Sequence, residues 1–599
     1  MKRLAGGCAV AVLLSLASIP GLGAAGSDVA DAVMRGDTAA VRALLVQKAD
    51  VNATQLDGAT ALHWAVYRAD AALTDLLLQA GANPKVANRE GFTPLSLAGL
   101  NGDPAIIESL LKAGGDPNEA LPRGETPLMM ASRTGNVAAM KVLLDRGAQV
   151  NAKETLRGTT ALMWAADQGH TAAVKLLIDR GADLNARSNP APNPRRGPPG
   201  KSVDPRRSNR ALAAVAAGAS PEEVARLAQR EPRQAQPAAA TPPAQPQNQP
   251  APAARAAATA AVDDDAPVRQ ELTGGGLTPL TFAARANSLE TVKTLLAAGV
   301  DIDQPTAYGW TPLLVATQNR FYQLGSYLLD HGADPNKANN GAWTPLYLAV
   351  DNRNIEGGDY PTRKGDMDHL EFIKKLLDKG ADVNARIKDN TDKRTVFTSM
   401  WLNEDGATPF LRASQSSDLE VMRLLLAHGA DPKIMTVNNV TALQVAAGIG
   451  WVEGNTYEWS EKANVEAVRL LLDLGVDPNI QAETGRTALH GAGHKGRTAV
   501  IQMLVDHGAN LEVRDYGMTG NDAGGRFAVH TWQPVDYSDG LVRVGVQSAV
   551  AHPDAGLLFR KLMTERGLEA PPMGRTLASV CITEICDVEE PEQEQQEQQ

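Results

Sequence analysis

The chain has 599 residues, 43% hydrophobic, 21% charged and only 4% aromatic, with 54 Gly and 36 Pro. That balance excludes collagen, wholesale disorder and a polytopic membrane protein. A net charge of -11 argues against nucleic acid or an anionic membrane as the main partner, since both attract basic surfaces.

Taken in chain order, the first 26 residues read as a secretory signal peptide: Lys2 and Arg3, an apolar stretch from Cys8 to Ile19, then small residues from Gly21 to Gly26. The apolar run is too short to span a membrane. Cleavage before Ser27 removes two positive charges and Cys8, so the mature chain carries -13 and retains two cysteines, Cys581 and Cys586. An even count in an exported chain predicts a disulfide between them. The expectation is a periplasmic or extracellular protein, and high Ala, Gly and Arg usage points to a bacterial source.

A fixed period then dominates the chain. Thr-Pro-Leu or Thr-Ala-Leu triplets, with Phe410 once in place of Leu, begin at Thr60, Thr93, Thr126, Thr160, Thr278, Thr311, Thr344, Thr408, Thr441 and Thr487. Most spacings are 33 or 34 residues, interrupted by gaps of 118, 64 and 46. Threonine caps a helix and proline at the next position costs little there, so each triplet starts a helix. A glycine closes the second helix of every unit, from Gly81 and Gly114 to Gly475 and Gly508.

These residues, quoted as Gly58-Ala59-Thr60-Ala61-Leu62-His63-Trp64-Ala65 and Gly332-Ala333-Asp334-Pro335-Asn336, resemble the ankyrin-repeat family. Diverged caps at residues 27–55 and 533–567 bring the total to about twelve units. The resemblance implies an all-α solenoid of paired helices with hairpin fingers, whose usual work is binding other proteins. It covers repeats 1–5 in residues 27–187 and repeats 6–12 in residues 273–570. The family's histidine after the triplet survives only as His63 and His490, which questions the lateral hydrogen bonding it usually supplies.

Residues 188–272 hold 15 of the 36 prolines and no aromatic residue, so they cannot build a core. Between Arg187 and Arg210 seven basic residues face one acidic one, Asp204; a solvated linker explains this, and an anionic partner is the alternative. Because the flanking units keep apolar interiors, units 5 and 6 are expected to stack directly, with the insertion looped out of a finger. Shorter insertions fall between helices near 354–368, 451–464 and 541–554, and in a finger near 386–402. The tail, 571–599, ends in six acidic residues and no basic one after Ile585.

Catalytic signatures fail in turn. Gly200-Lys201-Ser202 imitates a phosphate loop without its first glycine or a preceding strand. His490 and His494 could share a helix face as metal ligands, but no further ligand is evident. Asp-x-Asn strings such as Asp334-Pro335-Asn336 belong to the repeat's turn and lack the rest of a calcium loop. No cofactor and no metal is called for.

Aromatic placement supplies the candidate site. Trp64 and Trp164, four residues after their Thr, are expected in the core. Phe92, Trp310 and Trp343 stand just before the Thr, where other units carry Ala59, Glu125, Thr159 or Arg486, a tolerance that predicts exposure. By resemblance this position faces the concave side near the finger base. Tyr360, Trp451, Tyr457 and Trp459 lie in the interhelix loops nearby, and large exposed rings are typical binding hot spots. The competing reading is that the rings pack the loops onto the solenoid. The sequence thus reads as a monomeric, non-catalytic scaffold holding another protein on its concave face, chiefly in units 7–10, with no nucleic acid and no membrane after signal cleavage. Two alternatives remain: an enzyme or small-ligand receptor built by the interhelix loops, and a secreted effector directed at a host.

Overall fold

The computed structural model describes residues 27–191, 274–354, 364–388, 402, 404–451, 457–515, 531–542 and 550–575. The signal-peptide segment, most of the 188–272 insertion, Tyr360, Cys581 and Cys586 lie outside the described residues. Within them the chain forms twenty-four helices, which pair into twelve units from Asp28–Arg35 with Thr38–Val46 to Pro534–Ser538 with Pro553–Glu565. The fold is an all-α ankyrin-type solenoid.

Local chemistry sets each unit. The triplet threonines have extended backbones, and in eight units the Thr side chain accepts the N3 backbone N–H, as Thr344 does from Tyr347 at 3.2 Å. In the other two, histidine completes the cap: Thr60 N–H donates to His63 Nδ1 at 3.1 Å and Thr487 N–H to His490 Nδ1 at 3.0 Å. The opposite imidazole nitrogens reach the next finger, His63 Nε2 to the Phe92 carbonyl at 3.0 Å and His490 Nε2 to the Trp532 carbonyl at 3.1 Å. The lateral bond is therefore kept wherever the histidine is. Gln444 reproduces it with an amide, taking Thr441 N–H at 2.7 Å and giving its own N–H to the Arg486 carbonyl at 2.9 Å.

A second stitch uses the turn asparagines. Asn336 Nδ2 donates to the Gly380 carbonyl at 2.9 Å while its Oδ1 accepts from Asp382 N–H at 2.6 Å; Asn479 repeats the pattern on Gly508 and Asn510. The Asp-x-Asn strings are thus interrepeat fasteners. The terminating glycines have positive φ, such as 94° at Gly332 and 89° at Gly81, and a Cβ there would meet nothing. Conformation rather than space selects glycine at these ends.

Buried leucines, alanines and valines from both helices of every unit form one continuous core, the expected consequence of repeats that cannot bury their faces alone. Continuity holds across the long insertion. Pro190–Ala191 pairs antiparallel with Gly274–Gly275, Ser188 N–H donates to the Leu277 carbonyl at 2.9 Å, and Thr171 Oγ1 lies 3.0 Å from Thr291 Oγ1. The helices of unit 5 pack on those of unit 6.

Candidate functional site

Trp343, expected with Trp310 and Phe92 to be exposed, is buried. Trp343 is 0% exposed, stands edge-on to Tyr347 at 4.9 Å between centroids, and shares an apolar cluster with Leu314, Leu348, Ile387, Leu402, Ala407 and Val440. Trp310 packs half-buried against the same cluster, and Phe92 is also half-buried. Tolerance at this position misled because the residue before the Thr is buried or half-buried in every unit with a triplet, small Ala59 and Thr159 and basic Arg486 included, so variety of side chain there did not mean exposure. Unit 8 carries the finger insertion, and its Leu402 lies against Gly450 of the next interhelix loop, where a Cβ would come within 2.7 Å of the leucine's own Cβ. Leu402 thus belongs to the apolar cluster that buries Trp343.

The loop aromatics are fastened to the solenoid in the same region. Trp459, 42% exposed, donates from Nε1 to Asn354 Oδ1 at 2.9 Å and from its backbone N–H to the Ser416 carbonyl at 3.3 Å. The Arg353 guanidinium sits 4.6 Å from its ring centroid, and Tyr457 meets it edge-on at 5.6 Å. Trp451 contacts Lys495 through its ring face at 5.6 Å and His494 edge-on at 6.1 Å. Glu458 of the same loop pairs with Lys495 and, at 2.8 Å, with Arg497. Trp451 and Tyr457 are half-buried. These rings hold the loops down.

Beneath lies a concentration of buried charge. Asp351 pairs with Arg412 at 2.7 Å and Asp418 with Arg353 at 2.8 Å, while Asn354 donates to Asp418 at 3.0 Å. Farther along, Arg486 Nε donates to Tyr537 Oη at 2.8 Å, and Tyr537 donates to Asp515 at 2.6 Å. Among the described residues of units 1–7 only one charged side chain, Glu154, is buried; units 8–12 bury Asp351, Arg412, Asp418, Arg486, Lys495 and Asp515 among others. Paired in this way the charges satisfy one another rather than await an ion. Burial also holds His490 and His494 down at about 4 and pushes Lys495 below its usual range against the pull of Glu458. Both ring nitrogens of His490 are engaged by the repeat, so it does not serve as a metal ligand with His494.

Among the described residues, the large exposed apolar side chains on first helices lie in the earlier units. Four residues after the cap stand Trp64, Leu97, Met130, Trp164 and Phe282, one per unit, of which Trp64, Met130 and Phe282 are buried and Leu97 and Trp164 half-buried. Three residues further, Tyr67 is 60% and Leu100 38% exposed. The rings are fixed from below: Trp64 Nε1 donates to Gln55 Oε1 at 2.6 Å and Trp164 Nε1 to Thr159 Oγ1 at 2.7 Å. Tyr67 meets Trp64 edge-on at 5.8 Å, and Arg133 and Arg285 lie over the rings of Trp164 and Phe282 at 5.8 and 4.9 Å. Trp64 joins the main core, as its spacing predicts, and Trp164 packs half-buried against it. Tyr67 and Leu100, which share the place seven after their Thr, were not among the residues expected at the site.

Among curated proteins, none matches the chain. The family model described as ankyrin repeats in three copies matches residues 29–120, 96–188, 259–339, 280–387 and 459–521, and the single ankyrin-repeat model matches 405–437. Together these matches span more than half of the sequence, over the same units that the helix caps and asparagine stitches delimit. The chain belongs to the ankyrin-repeat family.

Proposed function

We propose that the chain is a non-catalytic scaffold that holds a partner protein on the open first-helix face of units 2–6, the concave side in repeats of this family. Ankyrin repeats are generally protein–protein interaction modules, and such modules bind rather than catalyse. The observation that carries the placement is the contrast along the stack: Tyr67 and Leu100 stand exposed beside fixed rings, whereas Trp343 is buried and the loop rings are fastened down. Rigid aromatic anchors lose little entropy on docking and dominate interface energetics. Export to the periplasm or beyond, a monomeric state and a Cys581–Cys586 disulfide complete the reading, supported by the leader-like residues 1–26 and by the two cysteines that remain of three once Cys8 leaves with them. The test is co-purification of the partner with Tyr67→Ala/Leu100→Ala against Trp459→Ala. The double variant is expected to lose the partner and Trp459→Ala to keep it; the reverse pattern overturns the placement.

A small-ligand receptor at the covered end is the second reading, favoured by Gln415. This side chain is 2% exposed, and among the described residues neither its Nε2 nor its Oε1 has a hydrogen-bond partner. A buried amide left unsatisfied costs about 1–3 kcal/mol, so a ligand that satisfied it would be retained. Gln415→Leu then separates the readings: greater stability with undiminished partner binding favours the scaffold alone.

A further inference from the structure

Resting on the groove reading above, we infer that the docked segment of the partner is an acidic amphipathic helix. The residues seven and eight after the helix cap form one edge of the open face in units 1–6, and this edge is basic. Arg35, Arg68, Arg133 and Arg285 are all exposed there, in a chain whose net charge is -11. The single acidic residue on the edge, Asp167, is already bonded to Arg285 at 2.6 Å. Among the described residues Arg35, Arg68 and Arg133 have no carboxylate within ion-pair distance. Farther into the face, Asp31 is held by Gln55 Nε2 at 2.5 Å, and Glu125 stands across on the finger side. Arg133 lies over the Trp164 ring, a geometry that leaves its N–H edges free for a carboxylate.

The spacing selects the shape. Neighbouring helices pack about 8–10 Å apart, so exposed Tyr67 and Leu100, with half-buried Leu97 beside them, offer an apolar stripe with contacts one repeat apart at that interval. A helix returns a side chain to the same line every seventh residue, about 10.5 Å along its axis. Apolar residues at that period with Asp or Glu beside them would meet the stripe and the arginine edge together.

The experiment uses the full mature chain and two labelled synthetic helical peptides with the same apolar face, one flanked by Glu and the other by Lys, read by fluorescence anisotropy. The Glu peptide is expected to bind at least about tenfold more tightly at low salt, since like-charge juxtaposition disfavours the other, and to weaken as salt is added. Arg35→Glu/Arg68→Glu/Arg133→Glu, all at exposed positions, is expected to invert the order. Equal binding of both peptides, abolished by Tyr67→Ala/Leu100→Ala, sinks the acidic class and leaves the groove standing. Absence of binding, or binding indifferent to Tyr67→Ala/Leu100→Ala, sinks the groove itself. A chain lacking residues 587–599 that binds the Glu peptide far more tightly would place the protein's own acidic tail in the face and overturn the assignment to a partner.

Discussion

At the scale of single residues, Trp343 and His490 carry the sharpest expectations. Removing a ring from a filled apolar cluster leaves a cavity, so Trp343→Ala should cost about 3–5 kcal/mol and lower the midpoint of a urea or thermal melt. An unchanged midpoint would mean that the ring is not part of the core. His490 is fully buried, and burial holds it at about 4 against a usual 6.5. Above pH 6.5 the ring is neutral whether the chain is folded or not. As pH falls from 6.5 toward 4 the unfolded chain takes up the proton first, and stability is lost across that window, on the order of 3 kcal/mol for one such group. Gln444 makes the same two hydrogen bonds without titrating. His490→Gln should therefore melt near the parent at pH 7.5 and lose less on acidification to pH 4.5; an identical pH profile would contradict this.

At the scale of elements, the repeat's spelling was open to reading because each letter answers a local need. Thr caps, Pro begins, Leu fills the core and Gly supplies a positive φ, and none of these depends on distant sequence. The burial of Trp343 was not legible for the opposite reason. It depends on Leu402, 59 positions later, reaching Gly450, and an insertion's path is set by tertiary packing that no local pattern records. Tyr67 and Leu100 were legible in principle from their shared place seven after the Thr, whereas the insertions and their aromatic residues point toward units 7–10. The joint between units 5 and 6 offers a test at this scale. Ala191 and Gly274 are antiparallel partners, so a two-residue Asn-Gly turn can join them directly. A chain with residues 192–273 replaced by Asn-Gly should keep its helical content and melt at the same or a higher temperature, because closing a shorter loop costs less entropy. Two separate transitions or lost helicity would show that the insertion, not the stacking, holds the joint.

At the scale of the whole molecule, the described repeats divide by what covers their first helices. Units 8–12 turn buried ion pairs and loop aromatics inward, which fixes loops in place at little net gain in stability. The first helices of units 2–6 leave two exposed apolar side chains, Tyr67 and Leu100, and an arginine edge facing outward. The account's central claim is that a partner meets this second region. The most direct measurement is site-specific photo-cross-linking in the producing cell, with the photoreactive residue placed in turn at Tyr67, Leu100, Trp459 and Leu557, all exposed. One partner should be captured from Tyr67 and Leu100 and not from the other two. Capture from Trp459 or Leu557 in preference to Tyr67 and Leu100 would contradict the claim.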